Sequence, residues 1–396
     1  MELFTMRILA VDMGTGTQDI LLFDSSGPVE NSIKLVMPSA TAIAAGRIRR
    51  ATEAGQAVLL TGVIQGGGPC HWALEDHVKA GRAAYATPEA ARTFDDDLER
   101  VQALGVRIVG EDEAASALGG DGVERIELRD LDLAAIRSAL AAFDVPGHFD
   151  GLALGCLDHG DAPPGYSDRL FRFDHLRRVV ERENDLRAFA YLPEELPDYL
   201  TRARAVVASA GGDAPVVFLD TGPAAALGAL QDPRVAAAEE QLVLNLGNMH
   251  ALAFHLRGSH IRSLYEHHTG ELTSEQIEDF TERLVAGTLA HEEVFESKGH
   301  GVFYPPRGGR GAPEAAHGSI GPIGIAQGKL LLAVTGPQRG RLRQSRLRPY
   351  FATPHGDMMI SGCFGLISAF AARYPAFGGE EIESALGGLA GEPDPK

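Results

Sequence analysis

The run Asp12-Met13-Gly14-Thr15-Gly16-Thr17-Gln18-Asp19 combines residue types that can hold a phosphate. Glycine lets the backbone approach a bulky anion closely, and turn amides and threonine hydroxyls donate to its oxygens. The apolar run Ile8–Val11 delivers Asp12 at a strand tip, where a carboxylate suits a hydrated Mg2+. A P-loop would need Gly-Lys-Ser/Thr after the turn, and none follows. A dinucleotide-binding turn would need a third glycine opening a helix, but Asp19 stands there and a second apolar strand follows. A phosphate hairpin and an ordinary β-hairpin turn remain.

Other segments carry weaker chemistry. Asp158-His159-Gly160 follows an apolar strand, so His159 is either a proton carrier or a turn residue. Gly66-Gly67-Gly68-Pro69 shapes either an anion pocket or a tight turn before a helix. Arg339, Arg341, Arg343, Arg346 and Arg348 form either a solvated edge or an anion site. Tyr304-Pro305-Pro306-Arg307-Gly308-Gly309-Arg310-Gly311 is either a substrate lid or a surface loop.

The bulk properties bound the possible functions. The chain of 396 residues is long enough for two domains, and 44% hydrophobic with 23% charged residues is a globular composition. A formal charge of −18 argues against nucleic acid or an anionic membrane as partner. Cys70, Cys156 and Cys363 make no closely spaced pair, which excludes the usual zinc and iron–sulfur spacings and suggests a reducing compartment. No apolar run approaches the ~20 residues needed to span a bilayer, and the N-terminus lacks a signal-peptide pattern. A cytoplasmic location is therefore expected.

These residues must be positioned by alternating elements. Periodicity predicts a hairpin of Arg7–Asp12 with Asp19–Asp24, a third strand at Ser32–Val36 and a helix at Ala40–Ala54. Ala57–Ile64 and Val106–Val109 read as strands, and Cys70–Lys79, Pro88–Leu104 and Asp132–Phe143 as helices. The strand Gly151–Cys156 leads to helices Asp168–Glu183 and Glu194–Ala208, the strand Pro215–Asp220 and the small-residue helix Pro223–Leu230. The hairpin pattern then returns in Gln241–Leu246, His250–Leu256 and His260–Tyr265. Helices Ser274–Ala286 and Ala290–Ser297 follow, with a long loop over 299–328. Strands Lys329–Thr335 and Asp357–Ile360, helix Phe364–Tyr374 and a frayed tail from Gly378 complete the chain.

The first hairpin, the segment Asp220–Leu230, the second hairpin Leu242–Phe254 and the stretch Met358–Leu366 occur in a telling order along the chain. That order resembles the actin, sugar-kinase and heat-shock-chaperone ATPase superfamily, from Arg7 to about Tyr374. The resemblance implies an α/β fold of duplicated ribonuclease H-like domains, 1–232 and 233–396, with a nucleotide cleft between them. It implies ATP and Mg2+ as cofactors, with Asp12 organising the metal. Gly14, Thr15, Gly16, Thr17 and Gln18 would hold the phosphates, Asn245, Gly247 and Asn248 would face them, and Gly362 and Gly365 would form the adenosine loop. Asn245 stands where the superfamily usually has aspartate and brings no charge to a metal.

Asp220 sits where related sugar kinases carry a carboxylate that accepts the acceptor's proton, so it is either a general base or a helix N-cap. Some relatives bind a transition metal through paired histidines in the second domain. Glu266, His267, His268 and His300 are the candidates here, although adjacent histidines normally point to different sides.

More narrowly, the opening Asp12–Asp19 and the segment Asp220–Gly228 resemble a family sometimes labelled pyruvate formate-lyase activating enzyme. That label implies an iron–sulfur cluster held by three closely spaced cysteines, which this chain does not contain. The expected activity is ATP-dependent phosphotransfer or ATP hydrolysis acting on an unidentified small molecule. The alternatives are a nucleotide-gated binding protein with weak or no hydrolysis, and a metal-dependent carbamoyl-type transferase on the same scaffold. The expected partners are a nucleotide, a small-molecule substrate and a second copy of the chain, with neither nucleic acid nor membrane.

Overall fold

The computed structural model describes residues 5–116, 122–212, 214–306 and 330–387. Most of the expected lid, from Arg307 to Gly311, and the end of the tail, 388–396, lie outside the described residues.

Strand β1 (Arg7–Met13) is apolar almost throughout and buried on both faces, as befits the centre of a sheet. It pairs antiparallel with β2 (Thr17–Asp24), which pairs antiparallel with β3 (Ile33–Pro38). An insertion follows. Strands β4 (Ala57–Gly62), β5 (Ala84–Ala86), β6 (Val106–Ile108) and β7 (Val123–Leu128) form a separate parallel sheet in the order β6-β5-β4-β7. Its own core gathers Ile48, Leu60, Leu74, Val101 and Ile126. The first sheet resumes with β8 (Gly151–Cys156), β9 (Ala190–Tyr191) and β10 (Val216–Leu219), giving the order β3-β2-β1-β8-β10-β9.

The second sheet holds β11 (Glu240–Leu246), β12 (His250–Arg257), β13 (His260–His268), β14 (Gly301–Phe303), β15 (Leu330–Thr335) and β16 (Tyr350–Phe351). Its order is β14-β13-β12-β11-β15-β16. The run β13-β12-β11-β15-β16 repeats β3-β2-β1-β8-β10, with two antiparallel pairings followed by two parallel ones. The fold is therefore α/β, a duplicated ribonuclease H-like unit of the actin-like ATPase type. Several expectations are corrected. The expected helix Pro88–Leu104 is two short ones, Pro88–Ala91 and Leu98–Ala103, and the helix expected from Glu194 begins at Thr201. Gly301–Phe303 is a strand inside the expected loop, Asp357–Ile360 is not a strand, and Glu380–Gly387 is a helix that buries Ile382 and Leu386.

Two helices cross at the centre. Thr221–Ala229 packs on β11 and β15 of the second sheet, while Ser361–Arg373 packs on β1, β8 and β10 of the first. Each half of the chain therefore lends a helix to the sheet of the other. The crossing is close because it is built from small residues. A Cβ on Gly228 would collide with the carbonyl of Ser361, and one on Gly365 with the carbonyl of Ala224. Neither neighbour can yield, since both are helix backbone. Gly365→Ala is expected to cost about 1–3 kcal/mol or more in urea unfolding. A neutral substitution would mean that the helices slide apart freely.

Candidate functional site

The two hairpins close with the same bond. Gly14 N donates to Thr17 O at 2.9 Å, and Gly247 N donates to His250 O at 2.9 Å. Each glycine lies two residues past a polar strand tip, Asp12 in one case and Asn245 in the other. The tips meet, for the space a Gly16 Cβ would fill is taken by the Asn248 side chain. Ser39 ties down the first turn. Its Oγ donates to Thr15 O at 2.6 Å, its N–H donates to Gly16 O at 3.2 Å, and it caps the helix Ala40–Ala54. Between the hairpins lies an open cleft. Gly14, Thr15, Thr17, Asn245, Gly247 and Asn248 line one end of it, and Gly336, Pro337, Met358 and Gly362 line another part of its wall.

Asp12 and Asp19 stand directly opposite each other in the β1–β2 register and both line this cleft. Thr221 Oγ1 donates to Asp12 Oδ1 at 2.7 Å, whereas Asp19 Oδ1 is buried without a partner. Burial is the main force raising Asp12 to about 7, with the charge of Asp220 adding to it. Burial also raises Asp19 to about 8, helped by the charge of Asp12. Two crowded carboxylates, one with an orphaned oxygen, are a donor set that a hard divalent cation satisfies. Asp12 and Asp19 would therefore hold a hydrated Mg2+. Gly362 leaves room for them, since a Cβ there would strike the Asp12 carboxylate. The sequence reading missed Asp19, although the spacing was informative: a turn bonded between residues 14 and 17 places residue 12 opposite 19.

This pair sets a pH dependence. Both carboxyls sit above their unfolded values, so the native state binds more protons and the pair's stabilisation is complete below about pH 4. It is lost as pH rises through 7 and 8. Without divalent ions the melting temperature is expected to fall between about pH 6 and pH 8.5. Millimolar Mg2+ should restore it at the higher pH and do little at the lower. A Mg2+ effect independent of pH would detach the pair from the metal.

Other expected residues are placed differently. Gln18 turns away, its Nε2 donating to Pro38 O at 2.9 Å. Gly365 belongs to the helix crossing and does not line the cleft. Asp220 is the N-cap of the helix Thr221–Ala229, accepting from Gly222 N at 3.0 Å. Its two oxygens also accept from Arg172 at 2.5 and 2.9 Å, and Arg172 Nε reaches Glu266 at 3.2 Å. Asp220 thus has the capping role that was one of its two expected roles, and three bonds hold its carboxylate in place.

Two arginines escaped the sequence reading. Arg172 makes this buried ion pair, and Arg202 lines the cleft. Arg202 donates to Leu157 O at 2.7 Å and to Asp130 at 2.8 Å. Gly66 presses on its guanidinium, while Gly68 (φ +64°) lies against the methyl of Thr15, so the glycine run seats the inserted subdomain on the first hairpin. In the 339–348 cluster Arg341 donates to the carbonyls of Thr269 and Leu272, and Arg346 pairs with Glu278 and Glu282. Those contacts are those of a structural edge.

The histidines also sort differently. His159, His250, His268 and His300 bring ring nitrogens within 4.8 Å of one another. His267 faces away, with Nε2 3.1 Å from Ser297 Oγ, and Glu266 is committed to Arg172. Strand alternation separates His267 from its neighbours, so the expected set of Glu266, His267, His268 and His300 does not assemble. Burial lowers the pKa of all four clustered rings, His159 to about 3, and keeps them neutral.

Cys70, Cys156 and Cys363 lie buried in three different hydrophobic clusters. No curated protein matches the sequence. Among solved structures, "Lmo2764 protein, a putative N-acetylmannosamine kinase, from Listeria monocytogenes" is 12% identical with a TM-score of 0.33, over 93% of this chain and 99% of that one. A member of the Ppx/GppA family from Aquifex aeolicus is 13% identical with a TM-score of 0.28, over 98% and 87%. The repeated strand order and the shared turn bond mark the fold independently of these likenesses. A family profile matches residues 65–322, more than half of the chain. The protein belongs to that family, which is described as "Putative pyruvate format-lyase activating enzyme (DUF1786)".

Proposed function

We propose that the chain binds ATP with Mg2+ in the cleft between the two hairpins and transfers or hydrolyses its terminal phosphoryl group. The observation that carries this reading is the pair of like-bonded glycine turns meeting at Gly16 and Asn248, with Asp12 and Asp19 beside them. Phosphoryl transfer asks mainly for positioning and charge neutralisation. The turn residues Gly14, Thr15, Gly247 and Asn248 supply positioning, and Arg202 adds a fixed positive charge to the wall. A bound Mg2+ supplies neutralisation of the phosphates, which Asp12 and Asp19 would anchor from the first hairpin alone. The second hairpin has Asn245 and Leu252 at the matching register positions.

A second reading has support in one feature. Asp220, the expected base, is capped and ion-paired, which favours a nucleotide-gated binding protein with slow turnover. Radical chemistry on an iron–sulfur cluster has no support, because the cysteines occupy separate cores. The test is thermal unfolding with ATP, Mg2+ or both, followed by phosphate release. Mg-ATP together should raise the melting temperature by several degrees. An unchanged value at millimolar Mg-ATP would end the nucleotide reading.

A further inference from the structure

The histidine cluster is built from both halves of the molecule. His250 opens β12 and lies directly opposite His268 at the end of β13. His300 precedes β14, its N–H bonded to Glu266 O at 2.9 Å. Three adjacent strands of the second sheet thus end on three histidines, and His159 reaches them from the loop after β8 of the first sheet.

The spacing is that of ligands around one ion. His159 Nε2 lies 3.2 Å from His250 Nε2 and 3.4 Å from His300 Nε2. Ligand atoms ~2.0–2.1 Å from a tetrahedral ion are ~3.3–3.4 Å apart, and the centres of the rings carrying them ~5 Å apart. Five of the ring pairs have centroids 4.7 to 5.4 Å apart. His268 has the orientation a ligand needs, since its Nδ1 bonds to Lys298 O at 2.9 Å and leaves Nε2 free. His300 is fully buried, and its Nδ1 has no partner. Four rings turning polar edges towards one point, with no carboxylate among them, leave that point without a counterpart in the protein. Beside it the Arg172 guanidinium is already paired with both Asp220 and Glu266.

We propose that His159, His250, His268 and His300 bind a divalent transition metal of the zinc class, and that this ion pins the second sheet's strand ends to the first domain next to the phosphate hairpin. Imidazole suits zinc and its neighbours in the first transition row, while Mg2+ and Ca2+ require oxygen. Three ligands come from one domain and one from the other, so the ion ties the walls of the cleft together.

The proposal is independent of the nucleotide reading, and its test separates the two. The full-length protein is stripped with a strong chelator and titrated with Zn2+, then with Co2+ as a spectroscopic probe. One ion per chain, tetrahedral cobalt absorption, and a melting temperature restored by Zn2+ but not by Mg2+ are expected. His268→Gln and His300→Gln should each weaken zinc binding by about 10-fold or more. Both variants should keep the far-ultraviolet circular dichroism and the cooperative melting of the stripped native protein, which shows that they are folded. His268 is only half-buried, so its variant stays informative if the His300 variant fails to fold. Loss of the nucleotide shift in the native protein with zinc binding intact would sink the ATP reading alone. Zinc affinity unchanged in the folded variants, or no stoichiometric zinc on the stripped protein, would overturn the metal site.

Discussion

Arg172→Ala is expected to destabilise the protein by about 3–5 kcal/mol, the cost of stranding partners of a buried ion pair. Arg172 is 1% exposed, and its two partners are nearly as dry. The guanidinium comes from the helix Asp168–Arg182, Asp220 from the end of β10 and Glu266 from β13, so one side chain joins the domains behind the cleft. Burial already raises the Glu266 pKa, and only the charge of Arg172 opposes that shift strongly. Without the arginine, at least one carboxyl must take up a proton to remain buried. The native pKa of the stranded groups then lies above the unfolded value, so the variant should be most stable in acid and lose stability as pH rises through neutrality. Wild type should lose less over the same range. Adding Asp220→Asn and Glu266→Gln to Arg172→Met removes the unpaired charges and should recover much of the loss. A single alanine variant as stable as wild type at about pH 8 would show that the site admits water.

That triad also shows what the sequence could and could not disclose. The hairpins were legible because everything that makes them is local: Gly14 and Thr17 are three residues apart, as are Gly247 and His250. The apolar run of β1 marked a central strand without outside help. The inserted sheet was half legible. β4 stood out, but β5 is only three residues long and β7 exposes alternate positions along Val-Glu-Arg-Ile-Glu-Leu. The role of Asp220 was open because a carboxylate at a strand end serves as base or cap until its neighbours are known, and Arg172 lies 48 residues away. The histidine cluster was less legible still. His159 and His300 are 141 residues apart, and only the pairing of β12, β13 and β14 makes His250, His268 and His300 neighbours. The exchange of the crossing helices leaves no trace in chain order. What the sequence did offer there was the run of small residues from Gly222 to Gly228, whose meaning was a backbone contact.

Asp12→Asn should separate binding from folding. The amide can still accept from Thr221 Oγ1, so the bond that orients the side chain survives. It needs no proton at any pH, and it removes the charge that raises Asp19. The nucleotide-free variant should therefore melt at the same temperature as wild type or higher at about pH 8, where the native carboxyl pair is ionising. Binding should move the other way. At a ligand concentration 100 times Kd, wild type gains about 2.7 kcal/mol, worth very roughly 5–10 °C in a chain of moderate size. The variant should lose nearly all of that, because a hydrated Mg2+ held beside the nucleotide would lose its principal anchor. Stability kept or raised while binding disappears is the mark of a residue retained for function. A full Mg-ATP shift in Asp12→Asn would place the nucleotide elsewhere. A variant that melts far below wild type without ligand would make Asp12 a structural residue, since a group that only supports the fold cannot be replaced at no cost in stability.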